Sequence, residues 1–496
     1  MKEGLTKQSF LGFYWQALGS AFQSIIQIGV LILLARLITP DQFGVAQSAL
    51  IIVGFASLLS QMGVGPAIVQ RSVLTNKHIR AGATLSLIFG VTLGLIVYFC
   101  SEIVSQFFNM PPLAPVLELV SVIFMLESIT VISKSLLQRE MKFKSLVLAD
   151  FISYSIGYAL VACIMAYYDY GIWALIWGAI SQAIVLNIVI MFIKPHSMIP
   201  FFGKKEIKEL LYFGGGFTIA RFANYLASQG DNIIIGRYLG AEMLGVYSRA
   251  YSLMVKPASL IGTAIDKALF PAMAKRQKEP EKLAKAFLSG SYIITLISFP
   301  FGLILVISAP EIIISLLGEQ WIGAILPFQI LSSALVFRMG YKMGDCLARA
   351  TGEVYKRARR QIIYAVLVIF GCYIGQYWGI PGVAIGTVFA IFINYLLMIH
   401  LSLKILNKSW SWFITNVYTS IFFLIGSVFV FYVIIFFMRI QFTSDLLVLC
   451  LSFAFFGVFI FAWIYFFPNS IDKHALIPKE INFLKKTKFK NKIKKY

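Results

Sequence analysis

Apolar residues run in blocks of about twenty along the whole chain, separated by short polar stretches. About twenty consecutive apolar residues are what an α-helix needs to cross a hydrocarbon core roughly 30 Å thick. The pattern predicts fourteen spanning helices, at 10–37, 41–63, 80–101, 113–136, 146–166, 172–193, 209–238, 243–268, 285–308, 322–348, 360–378, 381–403, 412–437 and 445–467. The first is long enough to begin as an interfacial helix. A transmembrane barrel would instead show ~10-residue segments of alternating polarity. The expectation is therefore an all-α polytopic membrane protein.

Composition agrees with that expectation. Of the 496 residues 59% are hydrophobic and 13% charged, against about 25% charged in soluble domains. So few charges cannot cover a water-facing surface.

The placement of charge orients the helices. Of 43 Lys and Arg, 34 fall in alternate loops and the two tails, and only Arg36, Arg237 and Arg439 fall in the opposite loops. Basic loops stay in the cytoplasm, so both tails are expected there. An even number of crossings puts both tails on one side, and a miscounted helix would break the alternation downstream. The net charge of +21 then reports topology and does not call for nucleic acid. Lys485, Lys486, Lys488, Lys490, Lys492, Lys494 and Lys495 crowd the C-terminus. They read as a solvated tail that fixes topology or as a surface for anionic headgroups. Five Cys and four His are scattered without metal-ligand spacing, so no metal is expected. The first apolar stretch is too long, and lacks the small-residue site, for a cleavable signal peptide.

An internal repeat lies beneath the helices. Residues 30–49, VLILLARLITPDQFGVAQSA, align with 231–250, DNIIIGRYLGAEMLGVYSRA, at an offset of 201. Ile32/Ile233, Arg36/Arg237, Gly44/Gly245, Val45/Val246 and Ala49/Ala250 are identical, and Asp41/Glu242 are both acidic. Gly171-Ile172 and Gly178 match Gly379-Ile380 and Gly386 at an offset of 208. Helices 1–6 and 7–12 thus read as two copies of one unit. Six is even, so the copies insert in the same orientation, as parallel pseudo-symmetric six-helix lobes. The expected plan is an N-lobe at 1–200, a C-lobe at 201–404, helices 13 and 14 at 405–470, and a basic tail at 471–496.

Charge inside the apolar segments carries the candidate chemistry. Arg221, Asn224, Ser228 and Asp231 share one stripe of helix 7, and Arg249, Ser252, Lys256, Ser259 and Thr263 share one of helix 8. Arg338, Lys342, Asp345 and Arg349 do so on helix 10. Pro257 is expected to weaken or kink helix 8. A Lys or Arg at the centre of a lipid-exposed helix costs roughly 2.5–3.5 kcal/mol. Five such residues, Arg221, Arg249, Lys256, Arg338 and Lys342, would together cost on the order of 12–17 kcal/mol. They are therefore expected to face a hydrated cavity, or one another through ion pairs. Asp231, Asp266 and Asp345 are too few to neutralise them together with Lys267, and the surplus suits an anionic ligand.

The N-terminal half is polar without being cationic. Gln16, Ser20, Gln23 and Gln27 line helix 1, and Gln47 and Gln61 lie two heptads apart on helix 2. They suit hydroxyl-rich groups and helix–helix contacts equally. Gln16, Gln23, Gln27, Asn224 and Ser252 are the candidate polar lining. Glu127, Asp231 and Asp345 are candidates for coupling to a proton or Na+. Glu127 reads equally as an interhelical hydrogen-bond partner.

LARLITPDQFG (34–44), MGVGPAIVQR (62–71) and DNIIIGRYLGAEMLGVYSRAYSLMVKP (231–257) resemble the polysaccharide-exporter branch of the multidrug/oligosaccharidyl-lipid/polysaccharide superfamily. The likeness is to its O-antigen and colanic-acid repeat-unit flippases, and it covers nearly the whole chain. It implies a transporter that moves an undecaprenyl-diphosphate-linked oligosaccharide to the outer leaflet by alternating access, without a cofactor. It also implies membrane lipids and a polysaccharide polymerase with its chain-length machinery as partners. Cavity residues vary with substrate in such proteins, so no ligand residue is carried over. Flipping of another lipid-linked precursor, of peptidoglycan or teichuronic type, is the alternative. A drug or cation antiporter would favour an anionic cavity. An enzyme of glycan polymerisation would need a larger outer loop than the dozen residues near 102–112 and 309–321. No phosphate-binding glycine loop encodes ATP use.

Overall fold

A computed structural model describes residue 19 and residues 22–61, 63–71, 73–277, 279–417, 421–441 and 445–466. Every regular element among them is helical. The helices run α1 (Phe22–Leu37), α2 (Pro40–Gln61), α3 (Val64–Gln70), α4 (Asn76–Phe99), α5 (Ser101–Phe108), α6 (Leu113–Val120) and α7 (Val122–Arg139). Then come α8 (Phe143–Tyr167), α9 (Ile172–Ile193), α10 (Lys204–Tyr238), α11 (Gly240–Lys275), α12 (Pro280–Ile307) and α13 (Ala309–Leu317). The last are α14 (Ile325–Ser333), α15 (Leu335–Ala350), α16 (Val354–Gly375), α17 (Gly379–Leu406), α18 (Trp410–Val417), α19 (Ile421–Gln441) and α20 (Asp445–Phe466). Among the described residues, seven stretches are long and apolar enough to span a membrane, or eight if one bent pair is a single span.

The predicted segment at 172–193 coincides with α9, and most others match their helices within a few residues. Two details differ. The segment at 322–348 is broken, its halves Glu319–Ser333 and Leu335–Ala350 bent by 41°. Conversely, α11 is continuous through Pro257. Helices in a bilayer can absorb a proline because neighbours re-satisfy the freed backbone groups.

The chain divides into two compact units. One comprises residues 1–252, 316–327 and 365–387, the other 253–315, 328–364 and 388–496. In the first, Val64, Ile68, Leu85, Ile132, Leu136 and Leu210 form a buried cluster joining α3, α4, α7 and α10. In the second, Ile304, Phe431, Ile435 and Val448 join α12, α19 and α20.

Small residues set the closest helix contacts, as expected where lipid removes the hydrophobic drive between helices. Gly371 and Gly375 on α16 meet Gly386 and Gly382 on α17, backbone to backbone. Two Gly-x-x-x-Gly faces therefore close this helical hairpin. The repeat also has a structural counterpart inside the first unit. A methyl group on Gly44 would overlap the Ala241 carbonyl, and one on Gly245 would overlap the Pro40 carbonyl. Position 241 is position 40 advanced by the same offset of 201 that relates Gly245 to Gly44. The N-terminal turns of α2 and α11 thus cross reciprocally. Gly171 and Gly379, paired at the second offset, both adopt the left-handed region, with φ of 56° and 69°.

Candidate functional site

Arg249 is the best-defined of the predicted cations. Glu242 in the first turn of α11 favours the helix dipole, and Arg249 lies about 14 Å along the helix at 1.5 Å per residue. Its Nη2 donates to Gln47 Oε1 on α2 at 3.4 Å. Its Cζ lies 4.7 Å from the centroid of the Phe43 ring. Phe43 in turn meets the Trp321 ring edge-on at 5.5 Å. Trp321 is fully buried, and its indole N–H donates to the Ala35 carbonyl at 2.7 Å. That bond caps the open C-terminal end of α1. A chain of contacts from α1 through Trp321 and Phe43 therefore fixes the guanidinium.

The surroundings of Arg249 are neutral. Gln47, the Phe43 ring and Tyr158 face it, and a cavity of about 90 Å³ opens beside it between α2, α6, α7, α8 and α9. Its Nε is buried without a hydrogen-bond partner. No carboxylate pairs with it among the described residues. A ring face and an amide oxygen stabilise a cation by about a kcal/mol each, less than burying an uncompensated charge costs. The arrangement can accept an anion, and the N–H fork of arginine suits a phosphate oxygen pair.

Lys256, Arg338 and Lys342 belong to the second unit. The Lys342 amine lies against Gly262 of α11, which leaves it room by having no side chain. All three have partners within the protein. The side chains of Arg221, Asn224, Gln61, Thr263, Asp266 and Lys267, and all of Gln16 and Ser20, lie outside the described residues. Gln23 and Gln27 on α1 and Ser252 on α11 are half-buried. Ser228 donates to the Tyr225 carbonyl of its own helix at 2.9 Å.

The three candidate acids have distinct environments. Asp345 pairs with Arg349 at 2.9 Å and also with Arg357. Glu127 accepts the Ser57 hydroxyl at 2.8 Å. Asp231 is buried and accepts from the Asn232 amide at 2.8 Å and the Tyr247 hydroxyl at 3.0 Å. Tyr247 also reaches the Thr387 hydroxyl at 3.1 Å, and Thr387 lies 3.3 Å from Cys372 Sγ. Asp231 thus heads a buried polar chain through α10, α11, α17 and α16. Among the described residues, no three of His, Cys, Asp and Glu approach closely enough to hold a metal.

Sequence reading missed Phe43, Trp321, Tyr247 and Thr387. The aromatic ones are hidden among 44 Phe, 23 Tyr and 8 Trp. Thr387 carried a signal, as a hydroxyl inside an otherwise apolar stretch.

The loops carrying most of the basic residues are tied by ion pairs. Glu140 pairs with Lys142 at 2.8 Å and with Lys194, and hydrogen bonds from these two lysines hold its carboxyl below the usual range. Burial pushes the nearby His196 imidazole down.

The family described as "Polysaccharide biosynthesis protein" matches residues 33–326. An "Uncharacterized membrane protein in cps region" of Klebsiella pneumoniae is 27% identical over 79% of this chain and 81% of its own. The "Lipopolysaccharide biosynthesis protein WzxC" of Escherichia coli (strain K12) is 25% identical, over 84% of this chain and 85% of its own. Among solved structures, "Lipid II flippase MurJ, inward closed conformation" aligns with a TM-score of 0.71 and 16% identity, covering 90% of this chain and 99% of that one. The last likeness concerns the fold.

Proposed function

This chain belongs to the polysaccharide biosynthesis protein family, and on that footing we propose that it flips a lipid-linked oligosaccharide repeat unit across a bacterial plasma membrane. The lipid carrier is undecaprenyl diphosphate, and the direction is from the cytoplasmic to the outer leaflet. Supporting this are the likeness to the lipopolysaccharide biosynthesis protein of Escherichia coli and a fold similar to that of a lipid II flippase. The observation that carries it at the level of residues is Arg249, a cation on α11 with neutral partners and a cavity beside it.

In this reading Arg249 holds one phosphate of the diphosphate through paired N–H donors. Gln47 is its neutral neighbour and leaves room for a negative ligand. Arg221, Lys256, Arg338 and Lys342 are the other cations assigned to the diphosphate. Gln16, Gln23, Gln27, Asn224 and Ser252 serve the sugar hydroxyls, and the polyprenyl tail stays in lipid. The architecture is fourteen spans, with lobes at 1–200 and 201–404, two further helices at 405–470, and both termini cytoplasmic. Export is followed by polymerisation of the repeat units, so a polymerase and its chain-length machinery are the partners. No cofactor takes part.

Coupling to H+ or Na+ runs through Asp231. Its carboxylate is buried among hydroxyl and amide partners, so gain or loss of a cation there changes the charge of the membrane interior. Asp345 is engaged by two arginines and fits a structural role. Glu127 is held by one serine and is the second choice.

The test is leaflet accessibility of a labelled undecaprenyl-diphosphate oligosaccharide in proteoliposomes. Arg249→Ala is expected to slow transfer about 10- to 100-fold, the loss of a charge-assisted contact of roughly 1.5–3 kcal/mol, with insertion intact. Arg249→Lys keeps the charge and recovers part of the rate. Transfer by Arg249→Ala at the wild-type rate would remove Arg249 from the path. Absence of transfer by the wild type across several glycans would overturn the function.

A further inference from the structure

A second cationic feature lies in the other unit, on the surface at one end of α16 and α17. Lys356, Arg359 and Arg360 occupy the first two turns of α16, and Lys404 the last turn of α17. The helices pack antiparallel, with the Arg360 Nε donating to the Leu397 carbonyl at 3.0 Å, so these cations gather at one end. They rim a cleft of about 320 Å³ floored by Ile363, Leu397 and Leu401.

Three observations make the cleft unlike an ordinary solvated charge cluster. No acid lines it. Lys356 is paired at 2.8 Å with Glu353, outside the cleft, while Arg359 and Lys404 form no ion pair among the described residues. Four cations lie in the opening turns of α16, and Lys356, Arg359 and Arg360, which face the cleft, oppose the helix dipole, whose positive end lies there. Arg360 is nevertheless held in place, its Nη1 donating to the Lys356 carbonyl at 2.8 Å. Like charges are thus concentrated beside a positive helix end and over an apolar floor.

We propose that this cleft binds the phosphate headgroup of an anionic phospholipid, with the first part of an acyl chain lying on Ile363, Leu397 and Leu401. An anion there relieves both the mutual repulsion of the cations and the dipole conflict. The apolar floor is what a free inorganic phosphate would not need. The cations lie on the side that carries the basic loops, where anionic lipids attract Lys and Arg. The proposal stands apart from the flipping reaction, because none of these residues belongs to the Arg249 site.

The experiment is retention of lipid by the purified full-length protein, read by native mass spectrometry after titration with phosphatidylglycerol, phosphatidylcholine or inorganic phosphate. Wild type is expected to retain phosphatidylglycerol about tenfold or more over phosphatidylcholine, and to bind inorganic phosphate weakly. Arg359→Ser/Lys404→Ser removes two exposed charges without breaking an ion pair. It is expected to weaken phosphatidylglycerol binding by about 30-fold, from roughly one factor of five per surface cation, and to leave phosphatidylcholine unchanged. Lys282→Ser, exposed and outside the cleft, is the control and should retain wild-type binding. Equal retention of the two lipids by wild type, or wild-type retention by the double variant, would overturn the proposal. So would displacement of phosphatidylglycerol by an equimolar amount of undecaprenyl phosphate, which would give the cleft to the carrier lipid.

Discussion

At the scale of single residues, partner chemistry separates a charge that can meet substrate from one that holds the protein together. Arg249 has an amide and a ring, whereas Asp345 has two guanidinium groups. Asp345 is only 13% exposed while its arginines are about 30% exposed, so removing the acid leaves cations that water can reach. Asp345→Asn is therefore expected to lower stability by about 1–2 kcal/mol. Thermal unfolding in detergent should shift down by a few degrees, with transfer per folded molecule unchanged. Lost transfer at an unchanged melting temperature would instead make Asp345 part of the coupling machinery. The cation at 249 is legible in the sequence because a charge in an apolar run is conspicuous. Its supports are not, because Phe43 and Trp321 are distant in sequence and look like any other membrane aromatic.

At the scale of elements, apolar run length sets the helices, and glycine sets their closest contacts. The offset that pairs Gly44 with Gly245 is legible in the amino-acid sequence. Its physical meaning lies in the crossing, in which each glycine faces a backbone carbonyl of the other copy's first turn. Backbone cannot rotate away as a side chain can. Gly44→Ala and Gly245→Ala should each force the helices apart, at a cost of about 1–3 kcal/mol or more. Because the contact is reciprocal, the two variants should fail alike, as reduced yield of monodisperse protein on size exclusion. Gly29→Ala, where nothing lies within 4 Å, should behave as wild type. Normal folding of either crossing variant would show that α2 and α11 do not approach so closely. The breaks are harder to read. The bend between Ser333 and Leu335 has no proline to announce it, while Pro257 announces one and α11 continues through it.

At the scale of the whole molecule, the charge asymmetry that orients the proposed topology also predicts a direction of transport. Thirty-four of 43 basic residues fall in alternate loops and the two tails, and in the proposed cycle the substrate enters from their side carrying about two negative charges. Moving one charge through 100 mV is worth about 2.3 kcal/mol, so outward movement of two is favoured by roughly 4–5 kcal/mol if the protein's own charges return unchanged. At equilibrium this corresponds to about three orders of magnitude in leaflet distribution. Proteoliposomes with a potassium diffusion potential, negative on the face of entry, should accumulate labelled lipid in the opposite leaflet. Collapsing the potential at fixed pH and Na+ gradients should redistribute it. In the proposed coupling, a cation antiported through Asp231 would move down the same potential and add its own gradient to the drive. Asp231→Asn should therefore lose the response to the pH or Na+ gradient and keep the response to potential. An unchanged rate and final distribution after collapse of the potential would mean that the two charges are compensated during each cycle, and the cationic path would then have to travel with its cargo.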